Sequence, residues 1–347
     1  ETRSWFHTGV YFDEDSDPAD GPFDYNDLTN RFRAEFYAAD EEALTLDEHD
    51  VETNDTPHEA FRALRGALLR KEVYARDGSA KEQHPFTVNE NRYAVAELQP
   101  KDGNNHAVYL RTQLEGLNYQ YERIPADPRI THALTLEVDS FGNTLRSVAV
   151  AYGRRLEDQS LPETDRSKQA HAFITYTENG FTNPIDDVDS HRAPLPSETR
   201  AYELTGFKPA NNTIHFTVSE WTNNNFARLT QAVEIGYDET PDETREQKRR
   251  VEHVRTYYRA NNLAGLLPLG TLESLALPGE VLKLALTPEL QTLVYGDRVT
   301  DAMLADDGAY VHSEGDSNWW IPSGRVFYSH NISDTPAQEL AFATQHF

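Results

Sequence analysis

The sequence predicts a mainly β chain, a β-rich α+β fold in which a large antiparallel sheet carries a few short helices. Three observations lead there. Between Leu68 and Thr177 apolar residues recur at every second position, the period of a strand with one buried and one polar face. Asp77-Gly78 and Asp102-Gly103 interrupt those runs with pairs suited to tight reversals. Helical spacing is confined to short segments that carry their own start and stop signals.

The elements follow in order. Residues 12–27 hold Asp and Glu with Pro18, Gly21 and Pro22 and no periodicity, which reads as a solvated acidic loop. Thr56-Pro57-His58-Glu59 is a capping box with proline at the first helical position. Ala60, Phe61 and Leu64 share one face, and Gly66 stands where a left-handed C-terminal cap is wanted. The spacing therefore predicts a helix over Pro57 to Arg65, packing Phe61 and Leu64 onto a sheet begun by Leu69 and Val73. Strand faces follow at Tyr93/Val95, Val108/Leu110, Leu117/Tyr119/Tyr121, Leu134/Leu136/Val138, Val148/Val150/Tyr152 and Ala172/Ile174/Tyr176, an antiparallel meander. In the hairpin Val138 to Arg146, Gly142 supplies the positive φ of a short loop, and Asp139 and Asn143 can cap its amides.

After Tyr202 the pattern is mixed. Phe226, Leu229, Ala232 and Val233 stand at helical spacing between Asn223 and Gly236, and Thr287-Pro288-Glu289 and Thr300-Asp301 read as helix starts. Strands are expected at Val251 to Tyr258, Ala309 to His312 and Gly324 to Ser329. Pro and Gly joints punctuate the segment at Leu267-Pro268-Leu269-Gly270, Leu277-Pro278-Gly279-Glu280 and Trp319-Trp320-Ile321-Pro322-Ser323-Gly324-Arg325. Leu269, Leu275, Leu277 and Leu284 are expected on the buried side, with Trp319 and Trp320 facing opposite sides of one strand. The domain reading is a β-rich meander over 1–205 with one short helix near 57–65, then a mixed α+β segment over 206–347, with the boundary between 206 and 249.

Composition narrows the function. The 347 residues suffice for one large or two ordinary domains. The chain starts at Glu1 and has a single methionine, Met303, so the reading is a fragment of a longer protein. No stretch approaches the roughly 20 apolar residues of a membrane helix, and the start has no signal-peptide pattern. Cysteine is absent, which removes disulfides, thiolate metal sites and cysteine nucleophiles. A formal charge of -26 argues against nucleic acid or an anionic membrane as partner. Lysine supplies only 7 of the 32 basic residues, an Arg-biased surface that suits a saline or high-GC source.

Patterns that carry chemistry fall short of a site. Asp13, Asp15, Asp17 and Asp20 suggest a calcium loop, but Pro18 stands where that spacing needs glycine. Asp186-Asp187-Val188-Asp189-Ser190-His191 and Asp47-Glu48-His49-Asp50 place carboxylates beside an imidazole, yet adjacent residues on a strand point to opposite faces. His58-Glu59 is followed by Arg62 where a zinc protease has its second histidine. There is no G-x-S-x-G elbow, phosphate loop or dinucleotide fingerprint. No catalytic, cofactor-binding or metal-binding residue is therefore assigned. The aromatic share of 11% suits cross-strand pairing, and with the carboxylates it also leaves open a carbohydrate-binding or glycoside-cleaving β protein.

Longer blocks carry a resemblance. Ser4-Trp5-Phe6-His7-Thr8-Gly9, the run Leu64 to Ala75, Tyr121 to Ile130, Ile174 to Asn179 and the Pro/Gly-jointed stretch Arg250 to Tyr328 resemble, in order, the middle-to-C-terminal region of the B component of bacterial insecticidal toxin complexes. Those large virulence proteins also carry a Salmonella virulence-plasmid-like (SpvB-like) N-terminal domain. The Asp139-to-Asn143 turn is similar to that of Rhs/YD repeats. The resemblance implies a large curved antiparallel sheet of Rhs/YD-shell type and a non-catalytic role: part of a hollow shell that encapsulates a cytotoxic polypeptide. It implies secretion, the toxin complex C component and its cargo as partners, and an A component reached through a β-propeller that this chain does not match. The DP-x-G motifs of C-component self-cleavage are not matched either.

Overall fold

The structure, a computed structural model, describes residues 1–11, 33–46, 49–51, 57–210 and 213–346. The expected acidic loop and its Asp13 to Asp20 spacing, with Asp47, Glu48 and Thr56, lie outside these residues. The fold is mainly β, with short helices, and contacts divide it into two units. One comprises residues 1–142, 147–174 and 208–226, and the other residues 143–146, 175–207 and 227–347.

The first unit is built on β1 (Thr2–Phe6), β2 (His49–Val51), α1 (Pro57–Leu64), β3 (Leu68–Val73), β4 (Thr87–Gln99), β5 (Val108–Gln120), β6 (Arg129–Val138), β7 (Thr144–Ala151) and α2 (Glu163–Gln169). Its strands run in the order β1-β3-β4-β5-β6-β7, with β2 added in parallel beside β4. The pairings β1/β3, β3/β4, β4/β5 and β5/β6 are antiparallel, as expected of a meander. Alternation selects the core: Val88, Leu117, Tyr119, Tyr121 and Ile130 are buried with Leu46. Backbone amides and acids of the segment before β2 tie it to this face. Leu44 N donates to Tyr119 Oη at 2.8 Å, and Tyr121 Oη to Asp40 at 2.8 Å.

Helix α1 forms where its start signal placed it, but with different contacts. Ala60 and Leu64 are its fully buried residues, and they pack with Val95 and Tyr93 of β4. Phe61 is half-buried, edge-on to His49 at 4.9 Å. Leu69 and Val73 are only half-buried, because the inward positions of β3 are taken by Arg70 and Glu72. Glu59 engages the Ala107 amide at 2.8 Å and His106 at 3.1 Å. Gly66 has φ +78°, the left-handed cap its position called for. Gly78, Gly103 and Gly142 likewise have positive φ, and Asp139 accepts the Phe141 amide at 2.9 Å in the expected hairpin.

The second unit holds β8 (Phe173–Phe181), the small hairpin of β9 (Ile185–Asp187) and β10 (Ser190–Arg192), and β11 (Pro196–Thr205). After α3 (Val218–Gln231) come β12 (Val233–Ile235), β13 (Gln247–Arg259), β14 (Leu277–Leu286), α4 (Pro288–Tyr295), β15 (Trp319–Arg325) and α5 (Pro336–His346). The order is β8-β11-β13-β14-β15, with β12 parallel to β13. Helix α4 is capped as read, Thr287 Oγ1 accepting from Leu290 N at 3.2 Å. Four sequence readings are corrected. The helix read over 223–236 starts earlier, at Val218, and breaks at Asn223 to Phe226, where three residues take positive φ. Leu229 and Ala232 are buried, but Val233 already belongs to β12. The expected strand at 309–312 reduces to one bridge, Val311 to Trp320, and β15 begins at Trp319 where Gly324 was read. Leu269, Leu277 and Leu284 are half-buried, while Leu275 is exposed; a turn Ala276 N to Glu273 O and the amide of Leu275 on Asn261 hold that loop by its backbone. Between Tyr258 and Leu286 the buried leucines are Leu263, Leu272 and Leu282.

Candidate functional site

Charged residues occupy inward positions of several strands, and register explains how they are tolerated. Burying a charge is costly unless it is paired and hydrogen-bonded. On β3, Arg70 and Glu72 alternate inward, and Arg70 stands directly opposite Glu90 of β4. Arg70 donates to Glu72 at 2.7 Å and to Glu90 at 2.6 Å, and its guanidinium lies 4.6 Å from the Phe36 ring centre. The remaining oxygens are filled as well: Glu72 accepts from the Tyr37 amide at 2.9 Å and Tyr74 Oη at 2.6 Å, and Glu90 from the Leu46 amide at 2.8 Å. Burial pushes the Glu90 carboxyl up, against the attraction of Arg70.

A second cluster repeats the device one strand on. Arg92 stands opposite Glu115 and bonds it at 2.7 Å while reaching Asp50 at 2.7 Å. The other Glu115 oxygen meets His132 Nε2 at 3.1 Å, His132 Nδ1 meets Tyr152 Oη at 3.1 Å, and Tyr152 Oη accepts the Phe216 amide at 3.0 Å. Burial works to raise the Glu115 carboxyl, but His132 and Arg92 outweigh it and hold it below the ordinary carboxylate value. His215, packed 4.9 Å from the Tyr152 ring, is pushed down to about 4 by burial, with His132 and Arg155 adding to the push.

In the second unit Glu198 of β11 faces Arg255 of β13, and Arg200 faces His253. Glu198 accepts from His253 Nε2 at 2.7 Å, Arg255 at 3.3 Å and Arg200 at 2.6 Å. Burial opposes its charge, yet these donors bring its carboxyl down to about 2. Both tryptophans pack inside this region, correcting the expectation that one would face out. Trp320 is fully buried beneath Arg255, 4.1 Å from its ring centre, and donates to Asp316 at 3.0 Å. Trp319 donates to Gln291 at 2.9 Å, with the His312 ring 4.1 Å away. Their partners differ, Arg255, His253 and Asp316 for Trp320 but Gln291 and His312 for Trp319, so each ring is covered by its own neighbours.

Chemically these clusters are braces. Each inward carboxylate is consumed by an arginine, a histidine or a backbone amide, and each arrangement joins neighbouring strands. Two open depressions border these braces, one of about 790 Å³ in the second unit reaching His253 and one of about 480 Å³ in the first reaching Tyr37 and Tyr74, and neither has tryptophan in its lining. Asp186 and His191 meet at 3.3 Å as a single exposed pair on the β9/β10 hairpin. Among the described residues no group of three or more His, Asp or Glu is placed to hold a metal ion, and no helix is long and apolar enough to cross a membrane. Sequence reading missed the braces because inward Arg70, Glu72 and Glu90 look like the polar half of an alternating strand.

Comparison with known proteins meets the resemblance carried by the sequence blocks. Residues 59–191 match the family model described as insecticide toxin TcdB middle/C-terminal region. Among solved structures, the chain is similar to a TcdB2-TccC3 crystal structure at 22% identity and TM-score 0.69, covering 98% of this chain. A TcdB2-TccC3-TEV structure aligns at 21% identity and TM-score 0.70, also over 98% of this chain. The Photorhabdus luminescens Tc holotoxin pore aligns at 21% identity and TM-score 0.65 over 92%. The chain spans only 15–16% of the length of these structures' chains. A search of curated proteins finds no match.

Proposed function

We propose that this chain is a non-catalytic wall segment of a toxin-complex B component, contributing sheet to a hollow shell that a C component completes around a cytotoxic polypeptide. The observation that carries this reading is the alignment of 98% of the chain, at TM-score 0.70, with a TcdB2-TccC3 structure, joined by the family match over residues 59–191. The physical character of the sheet supports it. A wall must stay closed without a ligand, and cross-strand ion pairs such as Arg70 with Glu90 and Glu198 with Arg255 fix strand register where side chains are hidden. The carbohydrate reading needs several aromatic rings stacked in a cleft beside two carboxylates; Trp319 and Trp320 are buried, and Tyr237 is the single tyrosine lining the larger depression.

The test uses the full-length B component assembled with its C component. A protease site is inserted at the exposed Asp77-Gly78 turn, and digestion of the enclosed polypeptide is followed. Protection in the intact assembly and loss of protection once this segment is cut and destabilised by Leu64→Ala is the expected result. Equal protection with the segment removed would sink the wall reading. For the non-catalytic part, the purified chain is assayed on glycan, ester and phosphate panels, and hydrolysis abolished by a single carboxylate or serine substitution would overturn it.

A further inference from the structure

Between β11 and β12 the chain contributes residues 208–226 to the first unit, and the stretch from His215 to Trp221 lies there as a strap. His215, Phe216 and Trp221 are all buried, with the Phe216 and Trp221 rings 4.7 Å apart. One backbone group ties the strap to the sheet: the Phe216 amide donates to Tyr152 Oη at 3.0 Å.

Proton positions along this tie are fixed from both ends. A backbone amide can only donate, so Tyr152 Oη accepts from Phe216 and gives its own hydrogen to His132 Nδ1 at 3.1 Å. At the far end His132 Nε2 meets the Glu115 carboxylate at 3.1 Å, and there the neutral ring carries its N–H. The bonds therefore run one way, from the Phe216 amide through Tyr152 and His132 to Glu115, which Arg92 also holds at 2.7 Å. Those two bonds are the ones Tyr152 Oη makes among the described residues. A second proton on His132 has one place to go, Nδ1. It turns that acceptor into a donor, so the phenol oxygen faces two N–H groups while its own hydrogen loses its acceptor, and a polar group left unpaired where water is excluded is costly.

His215 stands against the same phenol, its ring centre 4.9 Å from that of Tyr152 and 6.3 Å from that of Tyr119 on β5. Charged groups reach it from each neighbouring element. His132 on β6 and Arg155 after β7 disfavour a proton on it, and Asp40 before β2 favours one. Asp40 is already engaged by Arg155 at 2.7 Å and Tyr121 at 2.8 Å. On the strap itself Glu220 is turned to the amides of Thr217 at 2.7 Å and Ala210 at 2.6 Å.

We propose that acid releases this strap: His132 and His215 form a two-histidine sensor around Tyr152 Oη, and protons taken up there free His215 to Trp221 while strands β3 to β6 stay paired. Burial brings His215 down to about 4, so its hold on the strap is complete above the ordinary histidine value near 6.5 and is lost as pH falls from there toward 4. Glu115 is held below the ordinary carboxylate value by His132 and Arg92, against its burial, and stays charged through that window. The device lies within the first unit, and its failure would leave the wall reading untouched.

Hydrogen exchange of the whole chain, read by mass spectrometry from about pH 7.5 to 4 and corrected for the intrinsic pH dependence of exchange, tests this. Protection within 213–226 is expected to fall about tenfold per pH unit below about 6.5 for each histidine that takes up a proton, while β5 keeps its protection. His215→Phe keeps a ring against Tyr119 and Tyr152 and removes one titrating group, so the fall becomes shallower. Tyr152→Phe removes the acceptor of the Phe216 amide and lowers strap protection about fivefold or more even at neutral pH. In the unaltered chain ¹⁵N shifts of His132 report an Nε2–H ring at neutral pH, which a merely structural histidine need not show. Loss of protection in the strap and β5 together, a wild-type pH profile in His215→Phe, unchanged protection in Tyr152→Phe, or an Nδ1–H on His132 at neutral pH would each overturn the proposal.

Discussion

Replacing Arg70 by methionine tests whether the inward charges are braces. The arginine is 6% exposed and Glu72 and Glu90 are 0% and 5% exposed, so the substitution keeps the side chain's bulk and strands two buried carboxylates. Breaking a buried pair from one side costs about 3–5 kcal/mol. For a unit of this size each kcal/mol moves the melting temperature by about 2–4 °C, giving a drop of roughly 6–20 °C. Thermal melts and urea titrations at pH 7 measure it. Burial pushes the Glu90 carboxyl up in the wild type while Arg70 opposes it. A carboxyl raised above its unfolded value contributes stability at low pH that is lost as pH rises through its folded value. Without Arg70 the upward push is unopposed, so the variant's deficit is full at pH 7 and shrinks as pH falls toward the carboxylate range. Adding Glu90→Gln removes one stranded charge and keeps an acceptor for the Leu46 amide, so the double variant recovers about 1–3 kcal/mol. A loss below about 1 kcal/mol at pH 7, or no recovery with Glu90→Gln, would refute the brace argument.

Leu64→Ala removes a fully buried side chain and should cost about 2–5 kcal/mol, whereas half-buried Phe61→Ala costs less; equal losses by urea titration would contradict the placement of α1. Gly206 has φ +78°, and a Cβ there would fall on the Arg245 carbonyl, so Gly206→Ala should lose about 3 kcal/mol or more, and a wild-type melt would show that the turn adapts. His215, brought down to about 4 chiefly by burial, contributes stability that is complete above its ordinary value near 6.5 and is lost as pH falls from there toward 4. The contribution is about 2–3 kcal/mol. His215→Phe should flatten stability against pH in that window, and an unchanged profile counts against it.

The sequence by itself determined what local physics controls. Period-two alternation placed the strands around Tyr93/Val95 and Leu117/Tyr119/Tyr121, positive-φ glycines marked turns at Gly78, Gly103 and Gly142, and Thr287-Pro288 started a helix, because each signal acts within a few residues of itself. The order of the quoted sequence blocks also carried the family resemblance. Tertiary structure decided the rest. Arg70, Glu72 and Glu90 turn inward because they meet across a strand pair, a register no single strand contains. Asn223 to Phe226 break a helix whose apolar spacing looked continuous, and Trp319 and Trp320 are both buried because residues distant in sequence, Gln291 and His312 for one and Arg255 and His253 for the other, cover them.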